Sequence, residues 1–438
     1  MQTTTSYARS GEVHIAYQVL GSGQPLVLVA DWFSHLDTMW EWPPFAHALR
    51  RLASIARLIV FDKRGVGLSD PVPVSALPGL EEWMDDVRAV LDDLALESAS
   101  LLAVGSGGCM AMQFAASHPQ RVDKLVLVNA YARLLRADDY APGWPERLRE
   151  PLLARRNTDD GTARVLAGAD AGGPFIAWWG KYQRQSVPPG VALAMRRMMT
   201  ELDVRAVLPT ICAPTLILHR AGDEWIRVAH ARYLAEHIRG ARLVELDGAE
   251  DLFYQGDVDT LLDRVDEFMG APVQRDRHDR VLATVLFTDV VESTALAARL
   301  GDRRWKTLLD DHDAIVRAEV ERFQGRPVAM RGDGVLAVFD GPARAVRCAA
   351  SIRDQLRLLG LEVRAGVHTG EIEVRGPDVG GIAVHLAARI MDLGIAGEVL
   401  VSRTVRDLVA GSGLGFVDHG KYQLKGVPGT WEVLRAVV

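Results

Sequence analysis

The chain has 438 residues, 48% of them hydrophobic and 24% charged, and a formal net charge of −7. That length exceeds what one hydrophobic core ordinarily serves, so two or three domains are expected, of ordinary globular composition. Basic residues are mixed among an excess of acidic ones, which excludes a nucleic-acid footprint. No run approaches the roughly 20 apolar residues that span a bilayer, and the opening Met1-Gln2-Thr3-Thr4-Thr5 lacks an apolar signal core. A cytoplasmic chain without a membrane span is therefore expected. Cys109, Cys212 and Cys348 stand far apart, with no CxxC or Cys/His spacing. Buried thiols are expected rather than a disulfide framework or a zinc site.

In chain order, Pro25 to Ala30, Leu58 to Phe61, Ala99 to Val104, Lys124 to Val128 and Thr215 to Leu218 read as buried strands. Helix-period segments such as Trp83 to Leu94 and Met110 to Ser117 lie between several of them, and the alternation predicts a mostly parallel α/β sheet. From about Tyr131 to Val207 that rhythm breaks into an Arg-, Ala- and Trp-rich stretch containing Phe175-Ile176-Ala177-Trp178-Trp179, which predicts an inserted helical cap. Gly270-Ala271-Pro272 and the mixed charges from Arg275 to Arg280 predict a linker. The expected division is 1–270, a linker over 271–280, and 281–438.

Phe61-Asp62-Lys63-Arg64-Gly65-Val66-Gly67-Leu68-Ser69-Asp70 and Ser117-His118-Pro119-Gln120-Arg121-Val122 resemble segments of the α/β-hydrolase fold, and the resemblance runs over nearly all of the first region. It implies a nucleophile elbow of the form Gly-x-Ser-x-Gly. The turn here reads Ala103-Val104-Gly105-Ser106-Gly107-Gly108, so the nucleophile position is Gly105 and Ser106 falls one place later. Asp223 fits the acid position, but the histidine position, within Leu246 to Leu252, is Asp251. A carboxylate there cannot serve as the neutral base that takes a serine proton. The loop Ala30-Asp31-Trp32 stands where an oxyanion-hole amide is normally supplied, and a charge on Asp31 opposes an oxyanion. A catalytically degenerate hydrolase domain is expected, acting in sensing or regulation. An esterase using Ser106 with a base from His35 or His219 is an alternative, set against locally hydrogen-bonded histidines. Between sheet and cap, Trp32, Phe33, Trp40, Trp42, Trp178, Trp179, Phe253 and Tyr254 could line a site for a small apolar ligand, the plainer reading being core packing.

In the second region Asp289 ends the apolar run Val285-Leu286-Phe287-Thr288, and Asp333 lies in the turn Gly332-Asp333-Gly334 before Val335-Leu336-Ala337-Val338-Phe339. Carboxylates at the ends of apolar strands invite a cation, and hard divalent ions take oxygen ligands while leaving room for substrate phosphates. On spacing alone, two surface turn aspartates account for the pattern equally well. The wider sequence favours the cation.

Leu286 to Thr294 resembles the opening strand and turn of class III nucleotidyl cyclase catalytic domains, and Met330-Arg331-Gly332-Asp333-Gly334 resembles their metal-bearing hairpin. Gly366-Val367-His368-Thr369-Gly370-Glu371, Asp378 to Arg389 and Leu424-Lys425-Gly426 follow in family order, so the resemblance covers residues 281–438. It implies an α+β, ferredoxin-like domain behind the α/β hydrolase fold, and attack of a ribose 3′-hydroxyl on the α-phosphorus of a nucleoside triphosphate. Two divalent ions, Mg²⁺ or Mn²⁺, would be bridged by Asp289 and Asp333 with the Val290 carbonyl as a further ligand. Amides across Val290, Val291, Glu292, Ser293 and Thr294 would receive triphosphate oxygens as helix N-termini do, and Ser293 or Thr294 also suits an N-cap.

The same resemblance places Arg389 on the α-phosphate, Lys425 on the terminal phosphates and His385 where many members carry a ribose-binding asparagine. Asp378 fits the position whose carboxylate accepts from the adenine 6-amino group. The partner position is Ala329, which makes no bond to the base, and strand alternation puts Ala329, Arg331 and Asp333 on one face, so that Arg331 reaches the base or a phosphate, or blocks the pocket. ATP is the expected substrate, with GTP the second choice. The family arrangement implies a homodimer with composite sites shared between copies. A non-catalytic nucleotide-binding or signalling protein is the alternative suggested by Ala329 and Arg331.

Overall fold

The structure, a computed structural model, describes residues 4–154, 160–168, 171–271, 280–376 and 378–438. It divides into two compact units, Met1–His278 and Asp279–Val438. Of the expected linker over 271–280, only Ala271 and Arg280 fall within the described residues.

The first unit is built on strands β1 (Ser6–Ser10), β2 (Val13–Leu20), β3 (Pro25–Val29), β4 (Arg57–Phe61), β5 (Ala99–Val104), β6 (Val122–Val128), β7 (Thr215–Arg220) and β8 (Arg242–Leu246). They form one sheet in the order β1-β2-β4-β3-β5-β6-β7-β8. The first two pairings are antiparallel and the rest parallel. All six residues of β5 are buried, which is why the central strands read as continuous apolar runs. β8, with its mixed exposure at the sheet edge, carries no such run. Helices Arg149–Ala154, Asp160–Ala167, Gly173–Ser186 and Pro189–Glu201 lie between β6 and β7 as the cap. At the far end of β6, Lys124 donates to the carbonyls of Phe268 and Met269, at 2.8 Å each, and of Ala271. A cation is thus placed at the C-terminus of the last helix, Val258–Gly270, where orphan carbonyls need donors. Cys109 is buried as expected, whereas Cys212 is exposed, in the bend before β7.

The second unit carries β9 (Arg280–Val290), β10 (Arg326–Arg331), β11 (Gly334–Phe339), β12 (Val363–Arg375), β13 (Asp378–Gly380), β14 (Val399–Ser402), β15 (Gly415–Gln423) and β16 (Thr430–Val437). The order is β10-β11-β9-β12-β14-β16-β15, with β13 paired to β12. Only β12 and β14 run parallel among the described pairs. One face buries a core that includes Val316, Val320, Val346 and Ile352 of the helices Asp302–Arg322 and Pro342–Leu358. The other face receives the helix Ile382–Leu393. That helix lies directly on β12, because a Cβ added at Gly366 would sit 2.3 Å from the Met391 amide nitrogen and 2.4 Å from the Ala387 carbonyl oxygen. Among the described residues, no helix is long and apolar enough to cross a membrane.

Candidate functional sites

The strand-to-helix turn after β5 places Gly105 at φ +54, where glycine is at ease, and starts the helix Gly107–Ser117. A Cβ added at Gly105 would lie 2.9 Å from Cγ and Oδ1 of Asp31. The Asp31 carboxylate therefore fills the space in front of the nucleophile position. Its Oδ1 accepts the Ser106 amide at 2.9 Å and the Ser106 hydroxyl, and the Trp32 amide lies beside the same carboxylate. These are the two amides that form an oxyanion hole in this kind of turn, one following the nucleophile position and one from the loop after β3. Burial raises the Asp31 carboxyl above its ordinary range, against the lowering effect of the Ser106 hydrogen bonds.

Asp251 faces Asp223 as a triad histidine would face its acid, and the two carboxyl groups influence one another's protonation. Asp223 is pushed up to about 6, chiefly by burial, while its Oδ1 accepts the amides of Trp225 and Ile226 at 2.8 and 3.1 Å. Asp251 is raised further by burial and then by the charges of Asp223 and Asp31. Neither alternative base meets Ser106. His219 is buried, held to the Ile226 carbonyl at 2.6 Å and lowered to about 4 by burial. His35 accepts the Asp37 and Thr38 amides through Nδ1 at 3.3 and 3.4 Å.

A cavity of about 60 Å³ opens above Asp31, Ser106 and Asp251, between sheet and cap. A second, of about 50 Å³, shares Asp31, Trp179, Asp251 and Leu252 with it. Of the expected aromatics, Trp32, Phe33, Trp179, Phe253 and Tyr254 line one or the other. Trp40, Trp42 and Trp178 do not. Trp42 stacks on Trp178 at 5.5 Å, Trp178 donates to the Thr38 carbonyl and Trp40 to Gln18, so these three are packing residues. Tyr131 and Trp225, which sequence patterning passed over, line the larger cavity.

In the second unit Asp289 lies near the end of β9, between Gly334 of β11 and Arg364 of β12. Asp333 sits in the two-residue turn joining β10 and β11, where Gly332 at φ +65 takes the conformation that a tight hairpin needs. The expected alternation of Ala329, Arg331 and Asp333 on one face does not hold, because Asp333 has left the strand for the turn. The β10 register also shifts between Pro327 and Ala329. Nothing is described of the Arg331 side chain, which leaves its expected role outside the described residues.

Register brings the two aspartates to one end of the sheet. The Val291 amide bonds to the Glu362 carbonyl at 2.8 Å, so by antiparallel alternation the Val290 peptide groups face the opposite neighbour, the hairpin that carries Asp333. Two carboxylates and a neutral carbonyl suit a hard divalent cation with phosphate oxygens completing its shell. Among the described residues no group of three or more His, Cys, Asp or Glu side chains gathers to hold a metal alone. Arg364, missed in the sequence, donates to Oδ2 of Asp289 from Nη2 and Nε at 2.8 and 3.1 Å. Its only sequence signal was a basic residue between Val363 and Ala365 at the start of the strand.

The turn after β9 differs from expectation in two ways. Val291 spends its amide on Glu362 and is withdrawn from phosphate binding. The N-cap of the helix Ser293–Leu300 is Glu292, at φ 56, rather than Ser293 or Thr294, and no side chain caps the first-turn amides. Amides left without a side-chain cap can meet an anion.

The remaining expected residues gather around the helix Ile382–Leu393. It buries Ala383, Leu386, Ala387 and Ile390 and turns Ile382, His385, Arg389 and Asp392 outward. Arg389 donates to Asp392 at 3.0 Å. Leu424 and Val427 pack in one cluster with Leu386 and Ile390, which seats exposed Lys425 beside this helix. Val379 packs with Ala383 and Ala387, which sets Asp378 at the helix entrance, and β10, with Ala329, comes alongside β13. Asp378 pairs with Arg375 of β12, eleven residues beyond Arg364, the partner of Asp289. At the usual strand rise that is about 36 Å. Along β12, therefore, Asp378 and Asp289 take opposite ends, and the helix Ile382–Leu393 turns Arg389 outward.

Residues 34–257 match the family model described as alpha/beta hydrolase fold, and residues 273–434 match the adenylate and guanylate cyclase catalytic domain. The karrikin insensitive 2 receptor IA of Petunia hybrida is 23% identical over 54% of this chain and 86% of its own length. A Rhizobium meliloti protein named as an adenylate cyclase is 33% identical over 34% of this chain, matching 27% of its own length. Among solved structures, the esterase of Exiguobacterium antarcticum covers 61% of this chain and 100% of its own, with a TM-score of 0.55 and 22% identity, a likeness of fold.

Proposed function

Because this chain belongs to the alpha/beta hydrolase fold family and carries an adenylate and guanylate cyclase catalytic domain behind that fold, we propose that it is an adenylate cyclase whose first unit senses a ligand without hydrolysing it. The observation that carries the cyclase half is the pair of incomplete half-sites. Asp289, Asp333 and Arg364 lie at one end of β12, and Asp378, His385, Arg389 and Lys425 surround an outward-facing helix. A two-fold homodimer would bring one half-site against the other. Exposed Ile382, on the same helix face as His385 and Arg389, suits burial in such a contact.

Bound Mg²⁺ or Mn²⁺, held by Asp289, Asp333 and the Val290 carbonyl, would supply the Lewis acidity for the 3′-hydroxyl and the departing pyrophosphate. The protein's part is placement. Arg364 fixes the Asp289 carboxylate through Oδ2 and leaves Oδ1 free of that contact. The uncapped amides after Glu292 receive phosphate oxygens, Arg389 and Lys425 meet the charge that develops on the triphosphate, and His385 donates to the ribose. Asp378 accepts from an exocyclic amino group, which favours adenine over the 6-oxo group of guanine. With Ala329 opposite, one base contact of about 0.5–1.5 kcal/mol is missing, so selection is looser than a full pair would give.

Hydrolysis by the first unit is disfavoured by Asp31 lying in its own oxyanion hole and by Asp251 in place of a base. Relatives named as receptors fit a fold used for reception. The test is to incubate the purified chain with Mn²⁺ or Mg²⁺ and ATP or GTP. Cyclic AMP and pyrophosphate are expected, and nucleotide binding without pyrophosphate release would instead support the non-catalytic alternative.

A further inference from the structure

The cavity of the first unit has reversed the polarity of its floor. In a serine hydrolase two amides of that floor donate to the substrate oxygen, beside a serine whose hydroxyl donates to a neutral imidazole nitrogen. Here the Ser106 amide and hydroxyl are taken up by the Asp31 carboxylate, with the Trp32 amide beside it. Asp251, 5% exposed, stands in the place of the imidazole. Gln183, 4% exposed, lines the same cavity with its Oε1 unpartnered. Three acceptor side chains therefore meet over an apolar space.

Two of the buried cations nearby are committed elsewhere. Lys63 donates to the carbonyls of Ala30 and Asp31 at 3.3 and 2.6 Å, and Arg220 to those of Glu250 and Leu252, at 2.9 and 3.0 Å, and of Gln255. Arg196, the cation among the lining residues, lies over the Trp32 ring at 6.0 Å. Trp32, Trp179 and Trp225 form aromatic walls.

We propose that this cavity binds a protonated primary amine carried on an apolar body, with the ammonium against Asp251 and the Gln183 Oε1 and the body against the tryptophans. An ammonium brings three donors and no acceptor, the complement of this floor, and aromatic faces attract it further. The unpartnered Trp179 Nε1 and Tyr131 hydroxyl are left for a second polar group on the same ligand. An ester or lactone carbonyl, itself an acceptor, finds the hole already filled. The proposal rests on the non-hydrolytic reading of the first unit and names the class of ligand it senses.

The test titrates the full chain at pH 7 with 2-phenylethylamine, 2-phenylethanol and phenylacetate, followed by calorimetry and by thermal shift. The amine is expected to bind about tenfold or more tighter than the alcohol, with phenylacetate weakest. Asp251→Asn and Gln183→Leu should each bring amine and alcohol to within about twofold. Circular dichroism checks that each variant is folded, and Gln183→Leu carries the test if Asp251→Asn is not. Phenylacetate binding as tightly as the amine, no saturable amine binding, or an amine preference surviving in the folded variants would each overturn the proposal. Cyclase turnover is measured separately: a rate unmoved by bound amine would remove the sensing role and leave the binding site standing.

Discussion

Asp289→Ala in one copy of the chain and Arg389→Ala in another give the sharpest test of a shared site. In one protomer the registers of Asp289 and Asp378 on β12 are about 36 Å apart, and Arg389 is turned outward. Each substitution alone damages both sites of a symmetric dimer, and a loss of about 100-fold or more is expected for each parent. In a mixed dimer, one site collects both lesions and the other receives intact Asp289 from one chain and intact Arg389 from its partner. That dimer should turn over at about half the wild-type rate. Equal mixing with free exchange makes half of the dimers mixed, so the mixture should recover about a quarter of wild-type activity. The assay is cyclic AMP formation by co-expressed, differently tagged chains, with the mixed dimer isolated through both tags. Isolated mixed dimers no more active than their parents would refute the shared-site geometry.

Three further outcomes follow from particular contacts. Gly105→Ser should leave ester hydrolysis at the buffer rate, since the new Cβ meets Asp31, and should cost about 1–3 kcal/mol in urea unfolding; measurable turnover of a short acyl ester would contradict the filled hole. Gly366→Ala should lower stability by a similar amount and cut cyclase turnover with it, because its Cβ falls on the backbone of the helix bearing His385 and Arg389; an unchanged rate would show that the helix position does not matter. The Asp223 and Asp251 pair binds protons more tightly folded than unfolded, so its contribution is full below about pH 4 and is lost as pH rises through about 6 for Asp223. For Asp223 alone this is about 3 kcal/mol. Thermal unfolding should show Asp251→Asn gaining on the wild-type chain from pH 4 to pH 8, and a constant difference would refute the linked protonation.

Most of the framework was legible because buried parallel strands are continuous apolar runs, as β3 to β7 are. The edge strands β1 and β8 are partly exposed, and β2 beside β1 interrupts its apolar residues with His14 and Gln18, so none of the three carries such a run. The departure from a hydrolase triad could be read from Gly105 and Asp251, since residue identity alone shows that neither position carries the usual nucleophile or base. That Asp31 enters the hole could not, because it depends on a loop folding back over a turn 75 residues away. In the second unit, motif order is what pointed to Asp289, Asp378, Arg389 and Lys425. Arg364 escaped because its partner is fixed by cross-strand register, which spacing within one strand does not disclose. The Val291 amide was misassigned for the same reason.

The length of β12 has a consequence for how output follows dose. If the two half-sites work only when one copy meets another, a solitary chain would be silent however well it folds. While most copies remain unpaired, the number of working sites grows as the square of total concentration, so doubling the protein raises the signal about fourfold. Such a chain responds to its own abundance, and anything that promotes pairing serves as an activator without touching a nucleotide contact.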